Sequence, residues 1–316
     1  LSVKYPFIAF MPQWDFLNFL REAGKRFASL RVMMSTEAVD LIRDGERITG
    51  VKAKTPEGLI DIEADLTIAC DGRHSLVRDR AGLEVEEIGA PMDVLWFRAA
   101  KREGETENLF ARVDPGRMMV TFDRGDYWQC AFVIPKGQYE AVRARGLPAL
   151  LDDIARMAPI LKSGLAEVKS WDDVKLLTVA VNRLKRWTRP GLLCIGDAAH
   201  AMSPIGGVGV NLAVQDAVAT ANLLASRLKM AGLPTEDELD AVRRRREFPV
   251  RMTQRMQVVV QNNIIDAALK PGNQPLKTPF VMRLVSAIPW LQGITARFVG
   301  LGVRPEHVQS PEAPAV

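Results

Sequence analysis

The sequence predicts an α/β fold: a sheet with parallel strands, an inserted antiparallel-sheet domain, and a helical C-terminal region. Three observations predict it. Two short apolar runs, Leu66–Cys70 and Leu192–Ile195, each end in a paired glycine and acid and then open toward a helical pattern, the order of a buried strand feeding a helix. The stretch between them alternates apolar and polar residues at period two, as antiparallel strands do. After Gly209, apolar positions recur at spacings of three and four, the helical period.

The elements follow in order. Residues Gln13–Phe27 place Phe16, Leu20, Ala23 and Phe27 on one helical face. Strands are predicted at Ala38–Arg43 and Ile48–Lys54, joined by a hairpin at Asp44-Gly45. A turn at Thr55–Gly58 leads to a third strand, Leu59–Glu63. Leu66–Cys70 reads as a strand buried on both faces, followed by Asp71-Gly72 and a turn into a short basic helix through Arg78. Between Met92 and Trp187, strands are expected at Arg117–Phe122 and Tyr127–Phe132, a helix over Gly137–Gly164, and strands again over Glu167–Val181. Alternation puts Trp128, Cys130 and Phe132 on one face and Tyr127, Gln129 and Ala131 on the other, with either face open to be the covered one. Leu192–Ile195 is the second buried strand. The helix after Gly209 carries Val210, Val214, Ala217, Ala221, Leu224 and Leu228 as the stripe of a core helix, ended by Gly232 and Pro234. The Pro-rich tail Pro305–Val316 is expected to be disordered.

Composition narrows the function. A chain of 316 residues forms one large or two modest domains, and 47% hydrophobic with 25% charged residues is ordinary for a globular protein. The net charge is +4, and its densest basic run, Arg243–Arg246, lies beside Glu236, Asp237, Glu238, Asp240 and Glu247. That pattern is a solvated helix face and argues against nucleic-acid binding. Cys70, Cys130 and Cys194 have no metal spacing, and two fall in predicted buried strands, which suits a reducing cytoplasm. His74, His200 and His307 form no metal pattern either. The longest apolar segment, Thr278–Val303, is broken by Arg283, Pro289, Gln292 and Arg297, so it is expected to pack internally, ahead of a subunit contact or membrane-surface docking.

At the carboxyl ends of parallel strands, ligands gather near helix N-termini, whose free N–H groups attract anions. Glycines there let a backbone approach a ligand closely. Asp197 is placed to accept hydrogen bonds from a sugar-like hydroxyl.

Gly196-Asp197-Ala198-Ala199-His200, Pro204, Gly206-Gly207, Gly209 and Asn211 together resemble the second flavin-binding motif of class A flavoprotein monooxygenases, aromatic hydroxylases of the 4-hydroxybenzoate hydroxylase type. Upstream, Ala64–Leu83 resembles the same family's DG motif at Asp71, Gly72, Ser75 and Arg78, a motif linked to flavin and pyridine-nucleotide binding. The resemblance spans Met11 to about Arg255 and is weakest in the inserted sheet. It implies a Rossmann-like, glutathione-reductase-like FAD-binding domain in two parts, residues 1–90 and 188–256, with a substrate domain at 91–187 and a helical region and tail at 257–316. It implies FAD as cofactor and NADH or NADPH as cosubstrate. Asp197 would hold the ribityl chain. The amides of Gly207, Val208, Gly209, Val210 and Asn211 would face the pyrophosphate and the pyrimidine edge of the flavin, and Pro204 would shape the loop beside the ring. Gly196, Gly206, Asp71 and Gly72 complete that set, and Gln13 sits where the family often places Arg or Gln near the flavin. No nucleophile or metal ligand is assigned, because the chemistry belongs to the cofactor.

The implied reaction is hydroxylation: hydride reduces the flavin, oxygen adds to give a C4a-hydroperoxide, and one oxygen atom passes to a mainly apolar, aromatic small molecule. Trp96, Phe97, Phe110, Met118, Met119, Phe122, Trp128 and Phe132 are expected to meet that substrate. A family member should also open with strand, G-x-G-x-x-G and helix, a unit of roughly thirty residues. Only twelve residues precede Gln13 and no G-x-G-x-x-G occurs. The sequence is therefore expected to be N-terminally incomplete and, alone, to hold FAD weakly or not at all. The rivals are a geranylgeranyl-reductase-like enzyme, a halogenase of the same fold (no W-x-W is present), and a non-catalytic truncated homologue. A homodimer is left open.

Overall fold

The computed structural model describes residues 7, 9, 11–102, 104–105, 109–114, 116–230, 232–269 and 288–312. In chain order the elements are α1 (Gln13–Gly24), β1 (Glu37–Asp44), β2 (Arg47–Thr55), β3 (Gly58–Glu63), β4 (Thr67–Ala69), α2 (Leu76–Arg80) and β5 (Val85–Glu87). Then come β6 (Met92–Ala100), β7 (Leu109–Asp114), β8 (Arg117–Asp123), β9 (Tyr127–Pro135), α3 (Tyr139–Ala144), α4 (Leu147–Met157) and β10 (Lys175–Leu177). The chain continues through β11 (Asn182–Leu184), β12 (Thr188–Arg189), β13 (Leu192–Cys194), α5 (Gly209–Lys229), α6 (Glu236–Val260), α7 (Asp266–Leu269) and α8 (Pro289–Leu301). Residues 1–88, 181–254 and 293–316 form one compact unit, and 89–180 with 255–292 the other.

In the first unit, β1, β2 and β3 form the expected antiparallel meander. The expected parallel pairing is also present: β13 runs parallel to β4, with Cys194 opposite Ala69, and β12 flanks β13 on its other side. Leu192, Leu193 and Cys194 are completely buried, as a central strand between two neighbours requires. β4 departs from expectation. It is the last strand of this sheet, Ile68 is 38% exposed and Cys70 is exposed.

The stripe predicted to face the core on α5 holds at Leu224 but is corrected elsewhere. Val210 is 49% exposed, Val214 42% and Leu228 40%, whereas the helix buries Leu212, Asp216, Ala219, Thr220 and Leu224. Periodicity identifies stripes but not their partners. Here most of the predicted stripe lines an open apolar groove of about 310 Å³ with Ile68 and Ile195. By length and composition alone, the stretch Ile205–Lys229 could cross a membrane, but it carries the fully buried Asp216 in its middle.

Arg243–Arg246 is not a uniformly solvated face. Arg243 and Arg244 pair with Asp240, Glu247 and Asp237 along α6, but Arg246 is completely buried. Four consecutive helical residues spread over about 300° of the helix circumference, so one of them must point inward. The tail is likewise not loose where it is described. The Asn222 side chain donates to His307 O and accepts from the backbone N–H groups of Gln309 and Ser310. Residues 278–287 of the long apolar segment and 313–316 of the tail lie outside the described residues. The described part of the apolar segment forms α8, whose Val299 packs on the core of the first unit while Trp290 stays 65% exposed.

The second unit is a five-stranded antiparallel sheet in the order β10-β6-β9-β8-β7. One face packs against α4: Leu95, Phe97, Met119, Trp128, Cys130 and Phe132 share a closed core with Leu150, Ile154 and Met157. This settles which face is covered. It also corrects the substrate-facing set, since Phe97, Met119, Trp128 and Phe132 are sealed in that core. Trp96, Met118 and Phe122 occupy the opposite, half-buried face, where Trp96 stacks on Phe122 at 6.2 Å. The Phe110 side chain lies outside what is described. The expected helix over Gly137–Gly164 breaks at Gly146, whose φ is +86°. Glu167–Val181 contains only one short strand, because Ser170 and Asp173 cap a tight turn at Trp171–Asp173.

Two buried acids organise this unit. Asp93 accepts from Lys136 Nζ at 2.8 Å, Gly137 N at 2.9 Å and Val179 N at 3.0 Å. Asp153 pairs with Arg117 at 2.9 Å, Arg145 at 2.8 Å and also Arg156. For each, burial pushes the carboxyl up, but these donors outweigh it and hold the group below its ordinary value.

Candidate functional site

β4 and β13 lie side by side in parallel, so the turns leaving their carboxyl ends emerge next to each other. The turn after β4 is built around Asp71. Its Oδ1 accepts from Ser75 Oγ at 2.5 Å and its Oδ2 from Val77 N at 3.1 Å. Ser75 is fully buried and caps α2 by accepting from Arg78 N at 3.0 Å. Arg78 is itself buried, donating to Arg73 O at 3.2 Å and to Ala198 O at 3.5 Å. Asp71, Ser75 and Arg78 are thus engaged in folding their own turn, and Arg78 ties it to the turn after β13.

That second turn, Gly196–Ala198, packs on α5. Gly196 has φ +58°, and a Cβ there would meet Ala213 Cβ at 3.1 Å. Only glycine allows both the left-handed backbone and the close approach to the helix. From Gly191 to Ala201 every residue is buried except Asp197, which is half-exposed. Among the described residues, no hydrogen bond or ion pair engages the Asp197 carboxylate. Its carboxylate is therefore open to solvent and to a ligand.

The start of α5 is similarly prepared. Gly206 and Gly207 have φ +78° and +63°, both are exposed, and no atom lies within 4 Å of a Cβ built on Gly207. The N-terminus of α5 has no side-chain cap, so its first-turn N–H groups lack protein side-chain partners there. Val208 is buried, Gly209 and Pro204 are half-buried, and Val210 and Asn211 are exposed. A small cavity of about 20 Å³ separates Asn211 and Gln215 from the last turn of α8. Gln13, at the start of α1, is exposed. A flavin dinucleotide fits this donor set: a free carboxylate for ribityl hydroxyls, and an uncapped glycine-lined helix start for phosphate oxygens. Among the described residues, no group of three or more His, Cys, Asp or Glu could hold a metal ion.

Beneath the turn lies a network that pattern reading missed. Asp216 of α5 is fully buried and takes three donors: His200 Nε2 at 2.6 Å, Gly196 N at 3.0 Å and Arg246 Nε at 2.8 Å. Burial alone would raise its carboxyl, but His200 and then Arg246 outweigh that and hold it below the ordinary range. The Trp187 ring covers His200 at 5.1 Å. An acid within a long apolar helix was the available signal.

Residues 1–256 match the family described as FAD binding domain. The 6-methylpretetramide 4-monooxygenase of Streptomyces rimosus is 31% identical over 278 residues, covering 86% of this chain and 66% of that protein. The FAD-dependent monooxygenase dpchE of Colletotrichum higginsianum is 26% identical, covering 76% and 56%. The chain therefore spans between about half and two thirds of the length of these relatives. Among solved structures, OxyS anhydrotetracycline hydroxylase from Streptomyces rimosus superposes with a TM-score of 0.70 at 21% identity, covering 96% of this chain and 60% of that one, a likeness of fold.

Proposed function

Because this chain belongs to the FAD binding domain family, that of the class A flavoprotein monooxygenases, we propose that it belongs to an enzyme that hydroxylates a mainly apolar, aromatic small molecule with O2. NADH or NADPH is the proposed electron source, and a reducing cytoplasm the proposed setting. The observation that carries the assignment is the unpaired Asp197 carboxylate beside the uncapped, glycine-lined start of α5. FAD, when bound, supplies the redox chemistry and activates oxygen. The chain's own residues bind and orient it. Asp197 accepts from ribityl hydroxyls, and the amides from Gly207 to Asn211 favour negative charge. Asp71, Gly72, Ser75 and Arg78 hold the neighbouring turn in register. Gln13 is assigned to the flavin's vicinity by the family pattern alone.

The half-buried sheet face of the second unit, with Trp96, Met118 and Phe122, is the proposed substrate-facing surface. Its aromatic stack suits a flat apolar ring. The relatives named above, a 6-methylpretetramide 4-monooxygenase and an anhydrotetracycline hydroxylase, support a polycyclic aromatic.

The test is NAD(P)H oxidation in air with FAD and a panel of phenols, polyketide-like aromatics and aliphatic acids, following peroxide and product. An aromatic that stimulates oxidation and gains one oxygen atom is expected. Oxidation that proceeds equally without oxygen, or a reduced product, would assign the enzyme to the reductases instead.

A further inference from the structure

The network around Asp216 reaches the far end of the chain. Arg246 is completely buried and spends its guanidinium in two directions. Its Nε donates to Asp216 and its Nη2 to Gln215 Oε1 at 3.2 Å, both on α5. Its Nη1 faces the segment after α8, donating to Arg304 O at 3.4 Å and lying 3.8 Å from Glu306 Oε1. The Glu306 side chain is 4% exposed and is also gripped by Arg245, with contacts of 2.7 and 2.8 Å. Arg304 lies over the Phe248 ring at 4.4 Å, and Asn222 fixes the backbone from His307 to Ser310. Glu306 thus bridges the exposed Arg245 and the buried Arg246, and without the tail Arg246 Nη1 loses both of these partners.

A buried cation held by two anions is strongly sensitive to the loss of either, because the remaining charges stay desolvated. One of those anions, Asp216, is the acceptor for Gly196 N, the amide that precedes Asp197 in the turn. We propose that the C-terminal segment Arg304–Ser310 is a strap that positions the Asp197 turn, through Glu306, Arg246 and Asp216. Glu306, Arg246 and Asp216 are then positioning residues for flavin binding, although none of them touches the flavin in this scheme. The inference rests on the flavin reading only for its functional consequence. The mechanical coupling stands on the hydrogen bonds and the 3.8 Å Glu306–Arg246 ion pair alone.

The experiment compares wild type with Glu306→Gln and Asp216→Asn, using Asp93→Asn in the other unit as a stability comparator. Amide hydrogen exchange over residues 194–201 is measured without flavin, and FAD affinity by quenching of flavin fluorescence. Glu306→Gln should speed exchange at Gly196–Ala199 about tenfold, the scale of one weakened charge-assisted hydrogen bond, and should weaken FAD binding several-fold. Asp93→Asn, even at equal loss of melting temperature, should change neither. Exchange that rises only at 304–310 in Glu306→Gln would overturn the coupling, whether or not Asp216→Asn folds. Faster exchange at the turn with unchanged FAD affinity would overturn the positioning role. Absence of FAD binding by the full-length wild-type protein would sink the flavin reading, leaving the exchange result to decide the strap by itself.

Discussion

Asp197 and Asp216 stand 19 positions apart and meet opposite physical fates. Asp197 keeps an unpaired carboxylate at the surface of a buried turn, while Asp216 is sealed and triply hydrogen-bonded beneath it. The first was legible in the sequence, because small residues and glycines around a lone acid after an apolar strand offer it no side-chain partner nearby. The second was not, since its partners lie 16, 20 and 30 positions away in sequence, and long-range pairing has no local signature. The cysteines divide in the same way. Burial pushes the Cys130 and Cys194 thiols up to about 12, leaving almost no thiolate at neutral pH. Cys70 is exposed, though desolvation and then Asp71 raise its thiol above the ordinary value. Labelling the native protein with a chromogenic disulfide at pH 8 should therefore modify one thiol, slowly, and the other two only after unfolding. Three equally fast thiols would refute the burial of β13 and of the second unit's core.

At the scale of elements, the meander, the two parallel strands and the start of α5 were all readable, because each is bounded by glycine, proline or an acid. The burial of α5 was not. Two stripes run along this helix, and the one with the more regular apolar spacing is the more exposed. Sequence period cannot tell a stripe that meets the core from one that lines a groove. Leu224→Ala, at 1% exposure within the core cluster, should cost about 2–5 kcal/mol. Val214→Ala, from the exposed stripe, should stay within about 0.5 kcal/mol of wild type. Urea midpoints at neutral pH measure both. Comparable losses from the two substitutions would mean that Val214 is covered after all. The sheet of the second unit teaches the same lesson: alternation separated its two faces, but only the packing of α4 decides that Trp128 and Phe132 are core.

For the whole molecule, three buried acids contribute to the response to pH. Asp93, Asp153 and Asp216 are each pushed up by burial and pulled further down by their donors. A carboxyl depressed in the fold contributes its full stability above its unfolded value of about 3.9 and loses it as pH falls through the folded value. The urea midpoint should thus change little from pH 7 to about 5 and drop below about pH 4, with a shallower drop in Asp93→Asn. A midpoint at pH 3 equal to that at pH 7 would contradict these assignments. The turn after β13 is the proposed flavin cradle, with Asp197 as its ligand. FAD titrated into the full-length wild type and its Asp197→Ala variant, followed by flavin fluorescence and paired with melting curves, is the test. In Asp197→Ala, affinity should weaken roughly ten- to hundredfold, the worth of a charge-assisted hydrogen bond at about 1.5–3 kcal/mol, with the melting temperature nearly unchanged. Equal FAD affinity in the two proteins, accompanied by a collapse of melting temperature in Asp197→Ala, would contradict it and make Asp197 a structural residue.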